Sequence, residues 1–164
     1  MIVDGRAVVI DGDNVDTDVM YPGQYLNIED PDKMKAHLFE GYDPGLRDQL
    51  GEDAILVTGW NFGIGSSREH VPLAIKAWGV QCVLGKSFAR IFRRNCVNLG
   101  LPALACPEAT EATRSGSSIT IDTDSGVVEV DGRGFQAEPV PRFVLELQDA
   151  GGLVQWTRLR AGAG

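Results

Sequence analysis

Ala54-Ile55-Leu56-Val57-Thr58-Gly59-Trp60-Asn61-Phe62-Gly63-Ile64-Gly65-Ser66-Ser67-Arg68-Glu69-His70 is the stretch on which the fold turns. Its first five residues form a short, nearly continuous apolar run, the pattern of a strand buried on both faces in a parallel sheet. The glycine-rich run Gly59 to Gly65 then marks a strand-to-helix junction, with a helix expected over Pro72 to Trp78. Buried strand, loop and helix in that order point to an α/β domain.

Working outward, Val80 to Leu84 reads as the next buried strand. Ser87 is placed to cap a helix that carries Phe88, Ile91, Phe92 and Leu99 on one face and ends at Gly100, and Leu101 to Ala105 reads as another strand. Beyond it the texture changes. Ser117 to Thr123 alternates, Asp124-Ser125-Gly126 turns, and Val127 to Val130 returns as a hairpin partner. Pro139 and Pro141 close that section, Phe143, Val144 and Leu147 mark a helix, and Gly151-Gly152 breaks it. Leu153 to Leu159 gives a last turn or two before a flexible tail at about 160–164.

Upstream, Arg6 to Ile10 reads as a strand that runs into the turn formers Asp11-Gly12-Asp13-Asn14, and Val15 to Leu26 reads as a loop. Asp30-Pro31 opens a helix bearing Met34, Leu38 and Phe39, and a second short helix runs from Pro44 to Leu50. The expected architecture is one α/β domain over 1–164, with a mixed, largely parallel sheet and an added antiparallel hairpin.

A chain of 164 residues with a net charge of −8 and a pI near 4.7 repels phosphate backbones and anionic lipid, so neither nucleic acid nor a membrane surface is an expected partner. Met1 to Val9 holds Asp4 and Arg6 and has no signal-peptide core, which makes a cytoplasmic location the expectation. Cys82, Cys96 and Cys106 show no CxxC spacing, and His37 and His70 have no second ligand at helical spacing. No metal site is therefore expected in this chain.

Chemistry concentrates in the run from Gly63 to His70. Glycines permit close backbone approach, and two hydroxyls and a guanidinium follow at an expected helix start, so the segment is built like an anion site. Ser66-Ser67-Arg68-Glu69 also fits a capping box, although Pro72 would remove a donor from the second turn of such a helix. Nucleotide motifs fail: Arg68 stands where a dinucleotide fingerprint needs its third glycine, and Gly79 is one place off the leading glycine that Gly85-Lys86-Ser87 would need as a P-loop. Asp13-Asn14-Val15-Asp16-Thr17-Asp18 lacks the glycine and glutamate of a calcium loop and is open to two readings, an Asx-rich turn or a carboxylate that orients a catalytic group. Arg90, Arg93 and Arg94 form a cationic strip on one helix, either a solvated face or a contact for an acidic partner.

Asn14-Val15-Asp16-Thr17-Asp18, Tyr25-Leu26, the Gly63 to His70 run, Lys86-Ser87-Phe88-Ala89-Arg90-Ile91-Phe92 and Gly100-Leu101-Pro102, in that order, strongly resemble the 3-isopropylmalate dehydratase small-subunit family. The same blocks look like the C-terminal swivelling domain of aconitase, which implies a three-layer β/β/α fold. The resemblance implies a hydro-lyase subunit that isomerises 2- and 3-isopropylmalate in leucine synthesis together with a large subunit holding a [4Fe-4S] cluster. It implies Ser66 as the base on a carbon-bound proton. Ser67, Arg68, Gly65, Tyr25 and Asn27 would bind a small di- or tricarboxylate, with Asp16, Thr17 and Asp18 in support. After Tyr25-Leu26 this chain has Asn27-Ile28-Glu29, where homoaconitase relatives place an arginine, and this favours an alkyl-bearing malate. Ile64 stands where family members commonly have a smaller residue, and the segment Tyr25 to Glu29 is expected to stay mobile until the large subunit docks.

Competing readings remain at this stage: the small subunit of a dimethylmalate, citramalate or homoaconitate dehydratase, a stand-alone anion-binding module, or an interaction protein using the arginine strip. An exposed apolar partner face would favour self-association of the isolated chain.

Overall fold

The structure, a computed structural model, describes residues 1–162. Seven strands make one mixed sheet in the order β4-β3-β2-β1-β5-β6-β7: β1 (Ile2–Val9), β2 (Ala54–Thr58), β3 (Cys82–Gly85), β4 (Ala103–Ala105), β5 (Ser118–Asp122), β6 (Val127–Val130) and β7 (Arg133–Gln136). β1 to β4 pair in parallel, with Val8 opposite Leu56, Leu56 opposite Val83 and Leu84 opposite Leu104. The other edge of β1 receives β5 antiparallel, and β6 and β7 continue as a meander. The added hairpin is thus a three-stranded half-sheet of its own.

The helices are α1 (Thr17–Met20), α2 (Pro31–Met34), α3 (His70–Ala77), α4 (Arg90–Leu99), α5 (Pro107–Ala112), α6 (Arg142–Ala150) and α7 (Leu153–Gly162). One face of the parallel strands, with Val8, Leu56 and Val83, packs under Ala74 and Ile75 of α3 and Phe92 and Cys96 of α4. The opposite face, with Ala7, Ile55, Val57 and Leu84, packs on Ile119, Ile121, Val128 and Val130 of the antiparallel half. The sheet therefore curls under itself, and α5 closes the curl by touching β3 on one side and β6 and β7 on the other. The result is the expected β/β/α layering: the all-buried reading of Ala54 to Thr58 holds at every residue because both faces are covered.

Several local expectations differ. β1 begins at Ile2, because antiparallel pairing with β5 extends it ahead of the parallel register at Arg6. The Val15 to Leu26 loop contains α1, capped by the Asp16 carboxylate on the Asp18 amide. Pro44–Gln49 is a 3-10 helix. The third and fourth strands start at Cys82 and Ala103, after Gln81 and Pro102 have crossed in as connectors. Ser87 is no helix cap: α4 starts at Arg90 behind Ala89. Gly100 ends α4 in the left-handed conformation, as expected. α7 continues through Gly162, and the final part of the expected tail, 163–164, lies outside the described residues.

Candidate active site

The loops that follow β1, β2 and β3 lie side by side because those strands are adjacent and parallel. Asn14 and Asn61 both take left-handed backbone, at φ 55° and 53°, and Asn61 Nδ2 donates to Asn14 Oδ1 at 3.0 Å. Asp13 Oδ1 accepts the Trp60 amide at 2.9 Å, and the Ser87 hydroxyl oxygen accepts the Asn61 amide at 2.8 Å. Asn and Asp suit this work because their short side chains tolerate that backbone and bond locally. The Asx-rich turn forms, as part of a latch between three loops.

The latch brings Asp16 to Asp18 against the turn Gly63 to Arg68. The Ile64 carbonyl accepts the Thr17 amide at 2.8 Å, and the buried Thr17 hydroxyl donates to the Ser66 carbonyl at 2.7 Å. Gly65, at φ 99°, faces the Asp16 carboxylate so closely that a Cβ would sit 2.4 Å from Oδ1. Gly63, at φ 87°, faces the Phe92 ring with a Cβ clearance of 2.4 Å. Both glycines are required by close approach as well as by backbone.

Within this frame the Ser66 hydroxyl donates to Asp18 Oδ1 at 2.6 Å. Arg68 Nε donates to Ser66 Oγ at 3.2 Å, and Arg68 Nη2 lies 3.1 Å from the same Asp18 oxygen. Serine, aspartate and arginine form a closed triangle on the surface, short enough at the serine–carboxylate edge to count as a charge-assisted bond. Arg68 is 15% exposed at the side chain, with Nη1 donating to the Tyr21 carbonyl at 2.5 Å. Two of its five N–H donors are hydrogen-bonded, Nη2 makes an ion-pair contact with Asp18, and the remaining donors are available to a ligand. Ser67 is exposed beside it.

The capping box does not form. α3 begins at His70 behind Glu69, whose side chain caps nothing, so Ser66 stands outside the helix and its hydroxyl is free for the triangle. Pro72 occupies the third residue of α3, where no helical partner is yet due for its missing amide. The helix starts two residues ahead of the expected Pro72, after the serine turn, and the positive charge beside the serine comes from Arg68.

The Tyr25 to Asn27 segment lies over this turn. Gly23 approaches Arg68 Nη2, with a Cβ clearance of 3.5 Å. The Tyr25 hydroxyl is turned away from the triangle: it donates to Glu40 at 3.2 Å, its ring stacks on His37 at 3.6 Å, and His37 also bonds Glu40 at 2.8 Å. The His37 contact, helped by the Tyr25 hydroxyl, holds the Glu40 carboxyl below the usual range. Leu26 is 41% exposed and Asn27 is exposed, so these two side chains are the ones the segment presents. The segment is anchored inside this chain, where the sequence left it waiting on a partner: the Tyr21 hydroxyl donates to the Tyr25 carbonyl at 2.7 Å, and His70 Nε2 lies 3.0 Å from the Leu26 carbonyl. Burial pushes the Tyr21 phenol up, which keeps it a donor.

Sequence reasoning missed Tyr21, His70 and the Asn14–Asn61–Ser87 latch. The signal for the latch was two Asx residues at corresponding places after two strands. The arginine strip stands exposed on α4, and among the described residues Arg90, Arg93 and Arg94 form no ion pair. Among the described residues no group of three His, Cys, Asp or Glu side chains is arranged to hold a metal, and all three cysteines are buried. These residues do not fit a cluster. Among the described residues no helix is long and apolar enough to cross a membrane.

Comparison with known proteins gives the same shape and close relatives by sequence. The aconitase C-terminal domain family matches residues 47–109, which span β2, the Ser66 turn, α3, β3, α4 and β4 and reach into α5. The 3-isopropylmalate dehydratase small subunit of Caldanaerobacter subterraneus subsp. tengcongensis is 45% identical over 156 residues, covering 94% of this chain and 96% of its own. The 2,3-dimethylmalate dehydratase small subunit of Eubacterium barkeri is 48% identical over 147 residues, covering 88% and 90%. The crystal structure of 3-isopropylmalate dehydratase from Methanocaldococcus jannaschii superposes with a TM-score of 0.90 at 37% identity, covering 98% of this chain and 96% of that one.

Proposed function

The chain belongs to the 3-isopropylmalate dehydratase small-subunit family, and from that premise we propose that it isomerises 2- and 3-isopropylmalate by dehydration and rehydration, as the small subunit of a two-subunit hydro-lyase. The observation that carries the mechanism is the triangle of Ser66, Asp18 and Arg68. A serine that takes a proton from carbon must first give up its own, and the acceptor in reach is the Asp18 carboxylate. Arg68 Nε, already donating to Oγ, offsets the negative charge that grows on the serine oxygen as its proton leaves. The spare Arg68 donors and the exposed Ser67 hydroxyl hold a substrate carboxylate beside it, with Gly65 keeping the turn open.

The large subunit completes the site by supplying a [4Fe-4S] cluster as the Lewis acid for the departing hydroxyl. Leu26 and Asn27, uncharged and exposed, meet the alkyl substituent, and no cation in the Tyr25 to Glu29 segment offers to bind an extra carboxylate. This favours a branched alkyl malate over homoaconitate.

The test is anaerobic hydration of isopropylmaleate by this chain mixed with a reconstituted large subunit. Activity that needs both chains and drops by about 10²–10⁴ in Ser66→Ala supports the reading. Activity with dimethylmaleate alone keeps the mechanism and moves the substrate, an outcome the 48%-identical dimethylmalate relative makes worth running in parallel.

A further inference from the structure

His70 starts α3 directly after the Ser66 turn, yet among the described residues it bonds none of the three groups of the triangle. Its Nε2 lies 3.0 Å from the Leu26 carbonyl oxygen. A carbonyl only accepts, so Nε2 carries a hydrogen, and in the neutral ring Nδ1 then holds the lone pair. That Nδ1 is buried and has no partner among the described residues. A ring kept here for packing alone would not carry a desolvated, unmatched acceptor, since an apolar ring of the same shape avoids the penalty. The group being used is the donor at Nε2.

The donor acts as one half of a grip. The His70 ring stacks on Tyr21 at 5.0 Å and 26°. The Tyr21 hydroxyl holds the Tyr25 carbonyl, and the Tyr21 carbonyl takes Arg68 Nη1. Two stacked rings, one closing α1 and one opening α3, therefore hold the adjacent carbonyls of Tyr25 and Leu26. The anchors are on the backbone, which leaves the Leu26 and Asn27 side chains free toward a ligand.

We propose that His70 is a positioning residue for substrate selectivity: its Nε2–H fixes the Tyr25–Leu26 backbone over the Ser66–Arg68 turn and so sets the room for the alkyl substituent of a substituted dicarboxylate. This rests on the functional reading above, with Ser66 as the base and the Tyr25 to Asn27 segment at the substrate. Loss of the donor loosens the segment and leaves the triangle intact, so the effect falls on binding of the substituent more than on proton transfer.

The test uses His70→Phe, which keeps a ring on Tyr21 and removes the donor, and His70→Gln, which returns an N–H donor. In the two-subunit enzyme, KM and kcat are measured for isopropylmaleate and for the smaller dimethylmaleate. His70→Phe raises KM for isopropylmaleate by about tenfold with kcat falling by less than about threefold, and it shifts the kcat/KM ratio of the two acids by about tenfold. His70→Gln recovers most of that ratio. Equal losses of kcat on both acids with the ratio unmoved, or no change in His70→Phe, overturn the proposal. In the isolated chain, exchange of the Leu26 and Ile28 amides, bonded to Gly23 and Tyr25 carbonyls, speeds up in His70→Phe relative to the β2 amides; unchanged exchange also overturns it. A native complex that hydrates neither acid defeats the functional reading instead, and the exchange measurement then decides the His70 clamp by itself.

Discussion

Ser66 Oγ and Asp18 Oδ1 stand 2.6 Å apart across 48 residues of sequence. The contact exists because β1 and β2 are neighbours in parallel register, so the segments leaving their ends meet. If Asp18 is the group that takes the serine proton, Asp18→Asn retains a hydrogen-bond acceptor and loses the base. Its kcat should fall by about 10²-fold, with KM moving much less. A fall confined to KM would make Asp18 a binding residue and leave the proton without its acceptor.

Gly65→Ala places a methyl group into the Asp16 carboxylate on a backbone at φ 99°. The substitution should cost about 1–3 kcal/mol of stability and displace Asp16 from the Asp18 amide it caps, abolishing activity while the far β5–β7 strands stay folded. Urea denaturation and the hydration assay check the two effects separately.

Cys82 and Cys96 give the molecule an alkaline limit. Burial pushes the Cys82 thiol up to about 12 and raises that of Cys96 as well. An unfolded thiol titrates at about 8.5, so above that pH the unfolded chain loses protons that the folded chain keeps, and folding stability declines. The contribution is whole below about pH 8.5 and is lost as pH rises toward the folded values, by about 1.4 kcal/mol per pH unit for each thiol. The urea midpoint should fall steeply above about pH 9, and Cys82→Ala should flatten that slope.

Lys76 joins two helix ends: its ammonium donates to the Leu99 carbonyl at the end of α4 at 2.7 Å and to the Gly151 carbonyl after α6 at 3.0 Å. Burial lowers its pKa, yet the two carbonyls keep a use for the charge. Lys76→Met should lower stability by about 1 kcal/mol and speed amide exchange in α6 and α7, with no effect on the Ser66 turn.

The parallel half of the fold was legible because its strands are short buried runs: Ala54 to Thr58 is apolar up to its last residue, and its bounds came out to the residue, while β1, β3 and β4 were placed with shifted starts. β7 was not, since Arg133-Gly134-Phe135-Gln136 is an edge strand with little burial to leave a pattern. α5 was missed because six residues opened by Pro107 show barely two turns of periodicity. In the site, Ser66 and Arg68 stood out by residue type. The partner that makes the serine special, Asp18, could be placed nearby by resemblance, but the bond itself depends on strand adjacency that no local pattern encodes. The capping box fits by residue type, but Pro72 already argued against a helix starting at Ser66, and the helix begins at His70.

Residues 23–30, the segment proposed to read the substituent, lie between β1 and β2 in a stretch that the sheet's pairing does not use, whereas Ser66 lies in the loop from β2 to α3. In evolutionary terms the exposed Leu26 and Asn27 are the positions a new acid could rewrite after gene duplication, since Tyr25 packs on His37 and Asp30 caps α2, while the turn from Gly63 to His70 is held by the close approaches of its glycines to Phe92 and Asp16 and by the contact with the Leu26 carbonyl. New members of such a lineage would then arise by changing side chains on a backbone that His70 keeps in register.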